Sequence, residues 1–325
     1  MEKITLNFPS PEIACAIFAR EAANLALLEK AFGVQAVARD AFIRLSGARE
    51  AVERARKALT EMLPLVESGN AITSAEFKRI LDLAVRNQSG AIGEIYGDRI
   101  EVSSRRGFIR PQTRNQKKYV EAIRAHDVVV GIGPAGTGKT YLAMAMAVSA
   151  ILKGEVARMI LARPARETGE KLGFLPGDMH EKILPYLRPL YDALYDMMEV
   201  GRIRGYEEQG IIEIAPLAYM RGRTLNNAFI ILDEAQNATR EQMKMFLTRL
   251  GLRSRMVING DITQIDLPGG DKVSGLVHAR SVLQGVEGVA FVYLTEQDVV
   301  RHDIVQRIIL AYEAAERTPS PPAEK

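Results

Sequence analysis

Gly133-Pro134-Ala135-Gly136-Thr137-Gly138-Lys139-Thr140 matches G-x-x-x-x-G-K-[ST] at every fixed position. Such a loop is a device for holding phosphate. Its glycines let backbone N–H groups curl around an anion without Cβ clashes. The helix that follows aims the positive end of its dipole at the same anion. The pattern assigns all eight residues to nucleotide binding. Lys139 is expected to reach the β- and γ-phosphates, and the Thr140 hydroxyl to hold Mg²⁺.

The flanks fit this reading. His126-Asp127-Val128-Val129-Val130-Gly131-Ile132 reads as a short buried strand. Tyr141 to Leu152 is apolar all round and too short to span a membrane, so it reads as a helix buried against a sheet, closed by Lys153-Gly154. Further strands are expected at 127–132, 157–162, 211–215, 228–233, 255–259 and 289–294. Strands alternating with helices over 114–315 predict an α/β fold, a doubly wound parallel sheet with helices on both faces.

The chain has 325 residues, 47% hydrophobic and 26% charged, ordinary for a globular protein. Its net charge of +3 is small, so a nucleic-acid role would rest on local patches. The single cysteine, Cys15, excludes an internal disulfide and is expected to pack in a reducing compartment. The first residues lack a basic stretch leading into an apolar one, so a cytoplasmic location with no membrane partner is expected.

Residues 1–90 form a separate α+β unit. Ala22–Ala31 reads as a helix, 33–39 and 42–47 as strands, and Arg49–Leu65 as an amphipathic helix with Val52, Ala55, Leu59, Met62 and Leu63 on one face. Thr73 and Glu76 have capping-box spacing at the start of another helix. Residues 91–113 read as a basic linker. Between Val102 and Lys118 stand six cations (Arg105, Arg106, Arg110, Arg114, Lys117 and Lys118) and no acid. These suit either a solvated connector or a phosphate-backbone contact. Residues 316–325, rich in proline, are expected to be disordered.

Ala228-Phe229-Ile230-Ile231-Leu232 leads into Asp233-Glu234, an apolar strand ending in two acids. Ligands gather at the carboxyl ends of parallel strands. Asp233 is placed to hold Mg²⁺ and Glu234 to activate water as general base. After the strand 255–259, Gly260-Asp261-Ile262-Thr263-Gln264 offers a polar contact to the γ-phosphate, with Gln264 and Asn259 as candidates.

Together, Thr113-x-Asn115-Gln116, GPAGTGKT, ILDEAQN and NGDITQ resemble the PhoH-like ATPases, RecA-like proteins close to the first motor domain of superfamily 1 helicases. The resemblance covers roughly 105–315. It implies ATP and Mg²⁺ as ligands, adenine recognition by Gln116, Asp233 and Glu234 as the Walker B acids, and Gln264 as a coupling glutamine. Ala162 to Asp178 sits where those helicases place a strand-contacting motif. Their second motor domain, which supplies an arginine to the γ-phosphate, has no room after residue 315. Such an arginine is worth about 10³–10⁵ in rate. A head-to-tail homo-oligomeric ring, for instance a hexamer, would restore it, with Arg301 as the candidate.

The N-terminal unit resembles a KH-type fold in the cadence Leu28–Val34, Phe42–Gly47, Ala51–Ala55. It departs at Arg20–Asn24, which has no glycine where KH modules carry GXXG. RNA binding and protein docking both stay open for it. The expected activity is ATP hydrolysis coupled to remodelling of RNA or ribonucleoprotein, with single-stranded RNA and a partner ribonuclease as candidate partners. The alternative is a nucleotide-dependent protein-binding switch with slow hydrolysis. A small-molecule kinase would need an acceptor lid, for which 173–210, with Tyr186, Tyr191, Tyr195 and Tyr206, is the one available insert.

Overall fold

The computed structural model describes residues 1–69, 71–85, 91–103, 107–164, 179–267, 274–300, 304–305 and 308. The chain divides into two compact units, one of residues 1–100 and 110–117, the other of 101–109 and 118–325.

In the first unit, β1 (Glu2–Asn7), β2 (Gln35–Arg39) and β3 (Phe42–Gly47) form an antiparallel sheet in the order β1-β3-β2. Alternation sets its two faces. Ile43 and Leu45 are fully buried, and Ile4, Leu6, Ala36 and Ala38 pack on the same core. The helices α1 (Pro11–Ile17), α2 (Ala22–Phe32), α3 (Arg49–Glu67), α4 (Ser74–Val85) and α5 (Ala91–Tyr96) complete this unit. Ser10 caps α1, its hydroxyl accepting from Ile13 N at 3.3 Å. The expected capping box on α4 is present: Glu76 N donates to Thr73 Oγ1 at 3.2 Å, and Thr73 N to Glu76 Oε2 at 2.8 Å.

Two side chains depart from expectation here. Cys15 is exposed, because α1 turns Ala14 and Ile17 inward instead. Arg110 is no solvated cation. It is buried beside Glu76, with Nη1 3.9 Å from Oε1, and burial pulls its pKa down. The stretch read as linker also contains α5 and the short strands β4 (Ile100–Glu101) and β5 (Phe108–Ile109).

Helix α6 (Arg114–Ala125), counted with the second unit from Lys118 onward, leads into that unit's six-stranded sheet of β6 (Val128–Ile132), β7 (Arg158–Arg163), β8 (Ile212–Pro216), β9 (Ala228–Leu232), β10 (Arg255–Gly260) and β11 (Val289–Tyr293). All its pairings are parallel, in the order β11-β6-β10-β9-β7-β8. Strands β6 and β9 are buried along their whole length, as parallel strands covered on both faces must be. On one face, Val130, Ile230, Leu232 and Ile258 share a core with Met243 and Phe246 of α10 (Arg240–Leu247) and Leu276 of α11 (Gly275–Leu283). On the other, α7 (Lys139–Leu152) packs over β7, β9 and β10. This is the doubly wound sheet expected of a RecA-like fold. Each expected strand is found to within about a residue at either end.

The sheet order decides the site. Strand β10 lies between β6, which feeds the glycine loop, and β9, which ends at Asp233. The carboxyl ends of all three therefore converge.

The insert 173–210 contributes α8 (Met179–Met197) and α9 (Val200–Glu208). Tyr191 donates to Glu207 Oε1 at 2.8 Å and Arg202 stacks on Tyr206, so these aromatics join the two helices or brace α9. Among the described residues, no helix is long and apolar enough to cross a membrane.

Candidate active site

A cleft of about 250 Å³ opens at the carboxyl ends of β6, β9 and β10. Ala135, Gly136, Gly138, Lys139 and Thr140 line one side, and Asp233, Glu234, Gly260, Asp261 and Gln264 line the other. The loop's shape depends on Gly136 and Gly138, whose φ values of 81° and 80° suit residues without a Cβ. Gly133 is fixed for a different reason, since a Cβ there would lie 2.5 Å from Leu294 O.

Lys139 is folded onto its own loop. Its Nζ donates to Gly133 O at 2.6 Å and to Pro134 O at 2.8 Å. Burial pulls its pKa down, against the pull of Asp261, Asp233 and Glu234. Two carbonyl dipoles thus satisfy the buried ammonium. Thr140 Oγ1 donates to Asp233 Oδ1 at 2.5 Å. Burial pushes the Asp233 carboxyl up, and the Thr140 hydrogen bond opposes this. A buried, hard-oxygen pair of hydroxyl and carboxylate suits Mg²⁺, which takes one or two protein ligands and leaves the rest to phosphate and water. Asp261 Oδ2 is also buried, with no hydrogen-bond partner among the described residues, which adds unmet negative charge beside the same pocket.

Glu234 sits at a strained point, with φ 51° and ψ 39°, in the left-handed region. A non-glycine residue costs about 1–2 kcal/mol there, and such strain collects at functional sites. Its carboxylate is engaged on both oxygens. Arg163 Nη2 lies 3.3 Å from Oε1, and Gln236 Nε2 donates to Oε2 at 2.6 Å.

The expected residues do not all meet in this cleft. Asn259 turns away from it and is fully buried, its Oδ1 accepting from Tyr119 OH at 2.5 Å. Consecutive residues of β10 face opposite sides, so Asn259 meets α6 while the chain beyond Gly260 meets the cleft. Of the two candidates, Asn259 is not among the residues that line the cleft, and its Oδ1 ties β10 to α6. Gln264 does line the cleft. Gln116 belongs to the first unit, buried in the first turn of α6, where its Oε1 accepts from Gln112 N at 2.6 Å. Arg301 lies outside the described residues, as do 165–178 and the tail 316–325. Its described neighbour Val300 donates its N–H to Gly136 O at 3.0 Å.

Asp261, Gln236 and Arg163 belong to the site without being marked individually in the sequence. The GD pair after an apolar strand is the one local signal for Asp261, and Gln236 stands out only by its nearness to the two acids. Nothing local marks Arg163 as a neighbour of Glu234, because the two follow different strands.

Phosphate loop, buried acid and parallel sheet define a P-loop protein of the nucleotide-binding class. The PhoH-like protein family matches residues 108–313, and the chain belongs to that family. It is 49% identical to a PhoH-like protein of Synechocystis sp., over 99% of this chain and 97% of that protein. It is 47% identical to a PhoH-like protein of Bacillus subtilis, over 94% and 95%. A solved SWI2/SNF2 ATPase core of Sulfolobus solfataricus in complex with dsDNA overlaps 45% of this chain and 31% of that one, at 17% identity and a TM-score of 0.32.

Proposed function

We propose that this chain is a Mg²⁺-dependent ATPase that couples hydrolysis to remodelling of RNA or ribonucleoprotein. The carrying observation is one cleft that joins the glycine loop, Asp233, Glu234 and Gln264. Loop N–H groups hold the phosphates, and Lys139 exchanges the Gly133 and Pro134 carbonyls for the β- and γ-phosphates. Thr140 and Asp233 would hold Mg²⁺, which when bound draws charge from the phosphate oxygens. Glu234 accepts a proton from the attacking water as its oxygen bonds to the γ-phosphorus and the bond to the β–γ bridging oxygen breaks. Gln264, beside this centre, senses the γ-phosphate.

The test is Lys139→Ala and Glu234→Gln, assayed for nucleotide binding and for phosphate release. Lys139→Ala is expected to lose affinity. Glu234→Gln is expected to keep ATP and lose about 10²–10⁴ of turnover, the worth of a general base. Normal turnover by Glu234→Gln would overturn its role. For Gln116 the adenine reading is tested by Gln116→Ala, which is expected to lose preference for ATP over GTP.

The RNA half of the reading draws on the first unit. The outward face of its sheet carries Lys3, Arg39 and Arg44, with Phe42 under the Arg44 guanidinium at 5.5 Å. The other outward residues are Thr5, Asn7, Gln35, Val37 and Ser46, so these strands turn no carboxylate to that side. Cations around an aromatic suit single-stranded nucleic acid. Turnover measured with and without single-stranded RNA across salt separates this from the protein-binding switch, which would be indifferent to RNA. In the ring reading, an arginine of a neighbouring copy meets the γ-phosphate. Light scattering with and without nucleotide tests it, and a monomer under both conditions would count against it.

A further inference from the structure

Glu234 projects from a strained turn between β9 and the short helical turn Ala235–Asn237. Its side chain is 38% exposed, so packing alone does not hold it. An ion pair and a hydrogen bond from different parts of the fold grip it instead. Arg163 is the last residue of β7, the strand paired to β9, and reaches across to Oε1. Gln236, which is buried, donates its Nε2–H to Oε2.

The other end of the Gln236 amide is equally committed. Its Oε1 accepts from Asp261 N at 3.0 Å, and its backbone O accepts from Ser274 Oγ at 2.8 Å. A Cβ on Gly260 would come within 2.4 Å of Leu276 Cδ2 and 2.8 Å of that same Oε1, so a glycine here lets the amide approach the strand end. Asn237 repeats the tie one residue on, its Oδ1 accepting from Asp266 N at 3.2 Å. With an acceptor on one side and a backbone donor on the other, only one orientation of the Gln236 amide satisfies both ends.

We propose that Arg163 and Gln236 are positioning residues for Glu234, bracketing its carboxylate between the exit of β7 and the loop Asp261–Gln264. The proposal rests on the reading of Glu234 as the water-activating base. The bracket offsets the strain at Glu234 and fixes the direction in which its free lone pairs point. It also makes the base responsive to two segments. One is the carboxyl end of β7 at Arg163, and the other is the loop that brings Gln264 to the cleft. Lys139, Asp233 and Asp261 are the other charges around this centre, and none of them supplies a hydrogen bond of the bracket through its side chain.

The experiment compares Arg163→Ala, Arg163→Lys, Gln236→Ala and Glu234→Gln, with the doubles Glu234→Gln/Arg163→Ala and Glu234→Gln/Gln236→Ala. Nucleotide affinity is measured with a fluorescent ATP analogue, turnover by phosphate release, and folding by circular dichroism. Arg163→Ala and Gln236→Ala are each expected to lower kcat about tenfold or more, a share of the 10²–10⁴ a general base supplies, with affinity nearly unchanged. Arg163→Lys keeps the charge and regains part of the loss. Each double is expected to be no slower than Glu234→Gln alone, because residues that act through one group do not add. Losses that multiply in the doubles, or a loss of affinity in place of kcat, would overturn the bracket. So would wild-type kcat in Arg163→Ala, a partly exposed position that tolerates truncation even where Gln236→Ala unfolds. If Glu234→Gln itself turns over normally, the base reading falls and takes the bracket with it. If Glu234→Gln is inactive while both single variants are normal, the bracket alone fails.

Discussion

The N-terminal unit buries Leu28, Ile43, Leu45, Val52 and Leu59 against one another, whereas the end of the six-stranded sheet buries Lys139, Asp233, Gln236 and Asp261. In the first region burial and stability run together. Each apolar side chain removed from water contributes roughly 25 cal/mol per Å². In the second, burial works against the isolated fold. Asp233 is held above its ordinary pKa by desolvation, Lys139 below its own, and Glu234 sits on strained backbone. One unit is thus packed for stability, while the cleft gives up stability to hold charges that await a ligand.

The cleft side of this contrast should give the strongest response. Glu234→Gln should cut turnover by about 10²–10⁴ and leave the fold intact, since the amide has the same shape at a partly exposed position and gives up only one of the two bracket contacts. Equal thermal melting and abolished phosphate release would meet this expectation. Next comes the core. Leu45→Ala, at a fully buried position, should cost about 2–5 kcal/mol in urea unfolding. A cost below about 1 kcal/mol would break the contrast, because it would mean the sheet face is loosely packed.

A smaller effect has the opposite sign. The folded pKa of Asp233 is raised, so its favourable contribution is complete below the unfolded value and is lost as pH rises through the folded one. Above the unfolded value the nucleotide-free protein therefore carries the cost of desolvating this carboxyl. Asp233→Asn should raise the nucleotide-free melting temperature by a few degrees at pH 7. The gain should shrink as pH falls and vanish below about 3, under the ordinary aspartate value of about 3.9, where the aspartate is protonated in both states. Differential scanning calorimetry at several pH values checks this, and a lowered melting temperature at pH 7 would contradict it.

The open sheet face should matter least to stability. Lys3→Glu with Arg44→Glu should change it by no more than about 0.5 kcal/mol. The same pair should weaken single-stranded RNA binding. It should also flatten the log–log dependence of affinity on salt, by about 0.7 in slope for each phosphate no longer neutralised. Unchanged RNA affinity would remove that face from the proposed function.

Legibility in the sequence differs along the chain for physical reasons. Strands β6, β9 and β10 announce themselves because a strand covered on both faces must be apolar throughout. Strand β1 and helix α1 leave fainter marks. The first offers only Ile4 and Leu6 as an alternating signal, and the second only the Ser10-Pro11 start. Cys15 lies outside against expectation, because a seven-residue helix gives too little periodicity to choose a face. At the site, the loop and the two acids are legible because each is a contiguous string. Asn259 is not, because its facing is set by the strand's pleat and by Tyr119, far away in the chain.

The phosphate loop, the strand ending in Asp233 and Glu234, and the parallel α/β architecture can all be read from the chain alone. Backbone conformation and apolar runs are local properties, and local properties are written in consecutive residues. Three features wait for the assembled fold: β10 lying between β6 and β9, Arg163 reaching Glu234, and Gln236 tying Glu234 to Asp261. Those depend on strands paired side by side, and which strands pair is settled by how the whole sheet buries its two faces.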